Sequence, residues 1–232
     1  LVLGSAVNFY EGVTQAEVEE FYSRLARKDD PAPVSYGLNS RLVKKNGKIV
    51  EEVASIDGLY GPAIARIVSW LEKAAGVAEN DRQRKVIETL IEYYRTGDLK
   101  TFDAYSVLWV ADTGSRVDFV NGFIEVYNDP LGRKAMGEAL VNFKDLEATK
   151  RADTISANAQ WFEDNSPIDP RVKKEEVKGV SAKVITAAML GGDCYPATPI
   201  GINLPNPNWI RNQHGSNSVT LAHITHAGAQ PS

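Results

Sequence analysis

Three groups of residues carry side chains that could bind or react. Glu125 and Tyr127 stand two apart in the run Val117-Asp-Phe-Val-Asn-Gly-Phe-Ile-Glu-Val-Tyr127. That run is rich in β-branched and aromatic residues, so it predicts a strand, and the period of two puts both side chains on one face. A carboxylate there could hold a peptide's α-ammonium, with the phenol as a second polar contact. The plainer alternative, favoured by spacing alone, is a strand-end Glu in water and a Tyr closing the core. Asn203 and Asn206 bracket Leu-Pro in Gly201-Ile-Asn-Leu-Pro-Asn-Pro207. Their amides both donate and accept, which suits recognition of a peptide backbone and equally suits turns beside proline. His223 and His226 form the third group, two imidazoles three apart. A catalytic metal usually takes three protein ligands, and H-x-x-H supplies two with no evident third, so two surface histidines are the better reading.

Other reactive chemistry finds no support. There is no G-x-S-x-G, P-loop or dinucleotide glycine pattern. No spacing pairs Cys194 with His214, and a small buried side chain is the simpler role for the cysteine.

The elements that must position these groups can be read along the chain. Thr14-Gln-Ala-Glu17 has capping-box spacing and predicts a helix over 15–28, which the prolines 31 and 33 end. Asn46-Gly47 between two apolar runs predicts a hairpin over 36–53. Helices follow from about Pro62 to Ala75, from Asn80 to Gly97, and over Asp98–Val110. A strand over 117–127 is stopped by Asn128-Asp-Pro130, and 136–143 is its short partner. The pattern over 144–163 predicts one long polar helix, and 177–190 alternates as a strand does. Thr198–Leu204 is extended and flanked by proline, which places it at a sheet edge. Helices and strands without regular βαβ order make the class α+β.

The 232 residues suffice for one large domain or two modest ones. A net charge of −4 excludes the clustered basic surface that nucleic acid needs, and the interspersed charges read as solvated faces. No run of about 18 apolar residues would span a membrane. Leu1–Tyr10 lacks the basic start and cleavage site of a signal peptide. With a single cysteine, a cytoplasmic location is expected. The missing initiator Met suggests a piece of a longer chain.

Two stretches resemble signatures of the dipeptidyl peptidase III family: Gly122-Phe-Ile-Glu-Val-Tyr-Asn-Asp-Pro-Leu-Gly132 and Gly201-Ile-Asn-Leu-Pro-Asn206. Further segments are similar to its bacterial branch, among them Val34-Ser-Tyr-Gly-Leu-Asn-Ser-Arg-Leu42, Phe143-Lys-Asp-Leu-Glu-Ala-Thr-Lys150, Asn158-Ala-Gln-Trp-Phe-Glu163 and Ile185-Thr-Ala-Ala-Met-Leu-Gly-Gly-Asp-Cys194.

The resemblance implies a zinc exopeptidase that releases dipeptides from the N-termini of short peptides. It implies two lobes, the lower with a β-barrel core, and a cleft that takes the peptide as an added strand. Glu125, Asn203 and Asn206 match residues that bind the free amino end, and Tyr127 matches a tyrosine near the scissile bond. Ile200 and Gly201 match the edge-strand backbone that pairs with the peptide. Residues 1–145 and 186–232 would form most of the lower lobe, with 146–185 a helical excursion into the upper one.

The family's H-E-x-x-x-H zinc motif is absent from this chain. No catalytic residue, metal ligand or bound zinc is therefore expected here, and the chain alone is expected to be inactive. Its expected partners are a short peptide and either the missing remainder of the peptidase or a second copy. The alternatives are a non-catalytic peptide-binding module and, less favoured, a small metal enzyme using His223 and His226.

Overall fold

The computed structural model describes residues 2–27, 29–177, 180–195 and 198–222, the side chains of 180 and 181 excepted. The chain divides into two compact units. The first comprises residues 1–112 and 121–138, and the second 113–120 and 139–232.

In the first unit, β1 (Tyr10–Glu11) precedes α1 (Gln15–Ser23). The predicted capping box is formed: the Thr14 hydroxyl accepts the Glu17 amide, and the Glu17 carboxylate accepts the Thr14 amide. This helix ends five residues earlier than the sequence suggests. Tyr22 is the last apolar residue to reach the core, Leu25 is exposed, and polar residues follow. The hairpin of β2 (Ser40–Lys45) and β3 (Lys48–Val53) forms as expected. Asn46 and Gly47 turn it at φ of 50° and 77°, the left-handed pair that a two-residue loop requires. β1 joins β2 in parallel, completing a three-stranded sheet. Val13, Val18, Tyr22 and Leu42 are its buried apolar cluster, with Tyr10, Ile49 and Leu131 packed alongside.

Three helices follow: α2 (Gly61–Gly76), α3 (Asp81–Thr96) and α4 (Leu99–Ala111). Asn80 caps α3 through the Gln83 amide, and Gly97 ends it in the left-handed conformation. α3 lies between the other two and buries Val86, Ile87, Leu90, Ile91 and Tyr94. Its Tyr93 ring packs on Phe102 of α4, with centroids 4.6 Å apart.

β4 (Val117–Phe123) and β5 (Gly137–Lys144) begin a five-stranded sheet and run from one unit into the other. The second unit continues with α5 (Leu146–Ala157), α6 (Ala159–Asn165), β6 (Val180–Gly192), β7 (Gly201–Leu204), α7 (Asn208–Gln213) and β8 (Ser216–Leu221). The sheet order is β4-β5-β6-β8-β7, with β6 and β8 parallel and β7 antiparallel to β8. Ile185, Val219 and Leu221 are buried in it, against Ala187 and Ile202. Asp118 of β4 and Lys183 of β6 form a buried ion pair of 3.0 Å.

The α+β class holds. A closed barrel is not shown: among the described residues β4 and β7 stand at the two ends of the strand order. The single long helix fails. Asn158 breaks it, with its side-chain amide donating to the Thr154 carbonyl 2.7 Å away, so the side chain competes for a helix acceptor. No helix of the described residues is long and apolar enough to cross a membrane.

Candidate functional site

Glu125 and Tyr127 fall in the first unit, on a loop rather than on a strand. β4 stops at Phe123, so the shared strand face expected for these two side chains does not exist. Farther along, three backbone amides are met by a side chain instead of a neighbouring strand. The Asp129 carboxylate accepts the amides of Arg133 and Lys134, each at 2.8 Å, and that of Leu131 at 3.2 Å. The chain thereby coils around one buried Asp. Glu125 is half-buried, and Tyr127 is 83% exposed.

The start of this loop is closely fitted. The Tyr94 hydroxyl donates to the Asn121 side chain. A Cβ on Gly122 would stand 2.8 Å from a Phe102 ring carbon, so the close approach requires glycine there. The far end is held by Lys134, whose side chain is fully buried. Its ammonium donates to the Tyr22 hydroxyl at 2.6 Å, to the Ser40 hydroxyl at 3.0 Å and to the Ser40 carbonyl at 3.1 Å. The Tyr22 and Ser40 hydroxyls in turn donate to Glu51, at 2.7 and 2.6 Å. Burial pulls the Lys134 ammonium down to about 8 from its ordinary 10.5, although the Glu51 and Asp129 charges oppose the change. Burial also raises the phenols of Tyr10 and Tyr22. This network was not read from the sequence, where Arg133-Lys134 passes for solvated charge and Asn128-Asp-Pro130 for a strand stop.

In the second unit Ile200, Gly201, Asn203 and Asn206 lie on and beside β7. The edge position expected from the flanking prolines is found: β7 ends the sheet, and among the described residues no strand lies beyond it. The Ile200 carbonyl accepts the Leu221 amide at 3.0 Å. With Ile202 opposite Val219 and Leu204 opposite Asn217, the bonded pairs of this antiparallel ladder fall on even-numbered residues of β7. The backbone groups of Gly201 and Asn203 therefore turn to the open side. Leu204 is buried while Asn203 and Asn206 are exposed, so the apolar side chains anchor the strand and the amides face solvent. A Cβ on Gly201 would stand 3.0 Å from the Val219 carbonyl oxygen, tight enough to push the edge outward.

Cys194 is buried, as expected. Among the described residues no three His, Cys, Asp or Glu side chains are grouped so as to hold a metal ion. A zinc ion of the kind the family resemblance implies thus has no donor set there. His223 and His226 lie outside the described residues.

Comparison with known proteins covers nearly the whole chain. The model of peptidase family M49 matches residues 12–232. Dipeptidyl peptidase 3 of Homo sapiens is 28% identical over 167 residues, which is 72% of this chain and 22% of that protein. The Rattus norvegicus protein is 27% identical with the same coverage. This chain therefore spans about a fifth of the length of these curated relatives. The structure of dipeptidyl-peptidase III from Corallococcus sp. strain EGB superposes with a TM-score of 0.80 at 25% identity, covering 96% of this chain and 41% of that one. A family match of this extent, carried through both signature stretches, shows that the chain belongs to peptidase family M49.

Proposed function

We propose that this chain is the peptide-gripping portion of a zinc-dependent dipeptidyl peptidase, which removes dipeptides from the N-termini of short peptides. The observation that carries this reading is the open edge of β7. Gly201 and Asn203 offer unpaired strand-edge groups at alternate positions, and an extended peptide can take them up as an added strand. The Asn203 and Asn206 amides, both exposed, are suited to the free amino end, and Glu125 supplies the negative charge that an ammonium requires. Tyr127, largely exposed, is suited to a contact near the scissile bond. The H-E-x-x-x-H motif that the family resemblance implies is not in this sequence, so the part assigned to this chain is binding and orientation, with hydrolysis assigned to the longer protein.

Residues 1–145 and 186–232 are assigned to the lower lobe of that protein and 146–185 to the upper. The remainder of the peptidase is the natural partner of this chain, and the cytoplasm its location. The added-strand geometry is testable with short peptides N-methylated at one backbone amide at a time. Binding to this chain should be lost at every second position, the period of strand pairing. Uniform sensitivity along the peptide, or none, would remove the edge strand from the account.

A further inference from the structure

The loop that carries Glu125 and Tyr127 is organised by one side chain that touches neither the proposed peptide nor solvent. Asp129 is buried and uses every polar atom it has. Its carboxylate accepts the amides of Leu131, Arg133 and Lys134. Its own amide donates to the Val126 carbonyl at 3.1 Å, and its carbonyl accepts the Gly132 amide at 3.0 Å. The Val126 carbonyl belongs to the peptide group leading into Tyr127, one residue beyond Glu125. Asp129 thus fixes the backbone plane between the two proposed binding residues.

The hub is itself moored. The Tyr10 hydroxyl of β1 donates to Asp129 Oδ2 at 2.9 Å. Leu131 packs on the apolar cluster of the first sheet, and the Ala135 amide donates to the Leu38 carbonyl at 2.8 Å. The Arg133 guanidinium donates to the Tyr36 carbonyl at 3.1 Å. These four attachments tie residues 129–135 to the rest of the first unit. They reach the segment 124–127 through the bond from the Asp129 amide to the Val126 carbonyl.

We propose that Asp129 and Tyr10 are positioning residues for recognition of the free amino end, holding Glu125 and Tyr127 in a binding geometry without touching the peptide. The proposal rests on the reading of Glu125 given above. It assigns a role to a hydroxyl in a different element, far away along the chain.

Tyr10→Phe removes one hydroxyl and keeps the ring. Asp129→Asn keeps the shape, loses the charge and turns one acceptor into a donor. Two readouts on this chain separate positioning from plain stabilisation. In Tyr10→Phe, hydrogen exchange of the amides of residues 124–134 should rise about tenfold, the scale of one lost hydrogen bond to an ionised acceptor. The rest of the first unit should exchange as before. The preference for a free-amino peptide over its N-acetylated form should fall by a similar factor, with a larger fall in Asp129→Asn. Exchange that rises evenly across the first unit, or not at all in 124–134, overturns the proposal. So does an unchanged preference in both variants. If the unaltered chain shows no preference, the reading of Glu125 fails and takes the recognition role with it. The exchange result then still decides whether the hub positions the loop.

Discussion

Lys134 permits a quantitative test of the buried network behind the loop. Its ammonium is fully buried and is held at about 8, against an ordinary 10.5, with burial as the main cause. The unfolded chain therefore keeps the proton between about pH 8 and 10.5, where the folded chain has released it. A native state that binds fewer protons gains stability as pH rises, so the penalty of the buried charge is complete below pH 8 and disappears across that window. The whole depression corresponds to about 3 kcal/mol. Of this, about 2 kcal/mol should be regained between about pH 7 and 9.5. The reference is Lys134→Met, which cannot titrate and fills much of the same volume. Burial holds the Tyr10 and Tyr22 phenols above their ordinary value, so they begin to oppose folding only near pH 10, in both proteins. Urea unfolding of the two proteins, followed by circular dichroism and tryptophan fluorescence, gives the difference at each pH. The unaltered chain should gain on the variant by about 2 kcal/mol over that interval. A difference that stays flat, or shrinks as pH rises, would refute the assignment of a strained ammonium to this network.

Three further substitutions read out other parts of the account. Asp118→Ala removes the carboxylate 3.0 Å from the buried Lys183 ammonium and should cost about 3 kcal/mol in urea unfolding; a loss within error of zero would mean that water reaches the pair. Gly122→Ala drives a methyl into the Phe102 ring and should cost about 1–3 kcal/mol, seen as a lower melting temperature, whereas an unchanged melt would show that the ring has room to move. Glu125→Gln keeps the shape and loses the charge. It should weaken binding of a free-amino peptide about 10- to 100-fold and leave the N-acetylated form unaffected, and equal losses for both would place the side chain elsewhere.

The sequence speaks most clearly where structure is local. Asn80 and Gly97 mark the two ends of α3 because a cap and a left-handed stop depend only on neighbours within a turn. Asn46-Gly47 does the same for its hairpin. The edge position of β7 was legible because proline constrains its own strand, whatever the partner. The end of β4 was not, since Ile124-Glu-Val-Tyr127 has good strand residues and yet leaves the sheet, with the Val126 carbonyl taken by the Asp129 amide of the following turn. The hub is beyond local reach because the Tyr10 hydroxyl and Asp129 are 119 residues apart in sequence. β1 and β8 were missed because a two-residue strand carries no period, and Ser216–Leu221 alternates only weakly. The six proposed binding residues were found through the family signatures, whereas spacing alone favoured the plainer reading of Glu125.

The central claim is that this chain grips a peptide by its amino end. Calorimetric titration with one short peptide, beside its N-acetylated twin, tests it most directly. The account predicts tighter binding of the free-amino form by about tenfold or more, the worth of a charge-assisted hydrogen bond. Equal affinity for the two peptides, or binding of neither, would contradict it.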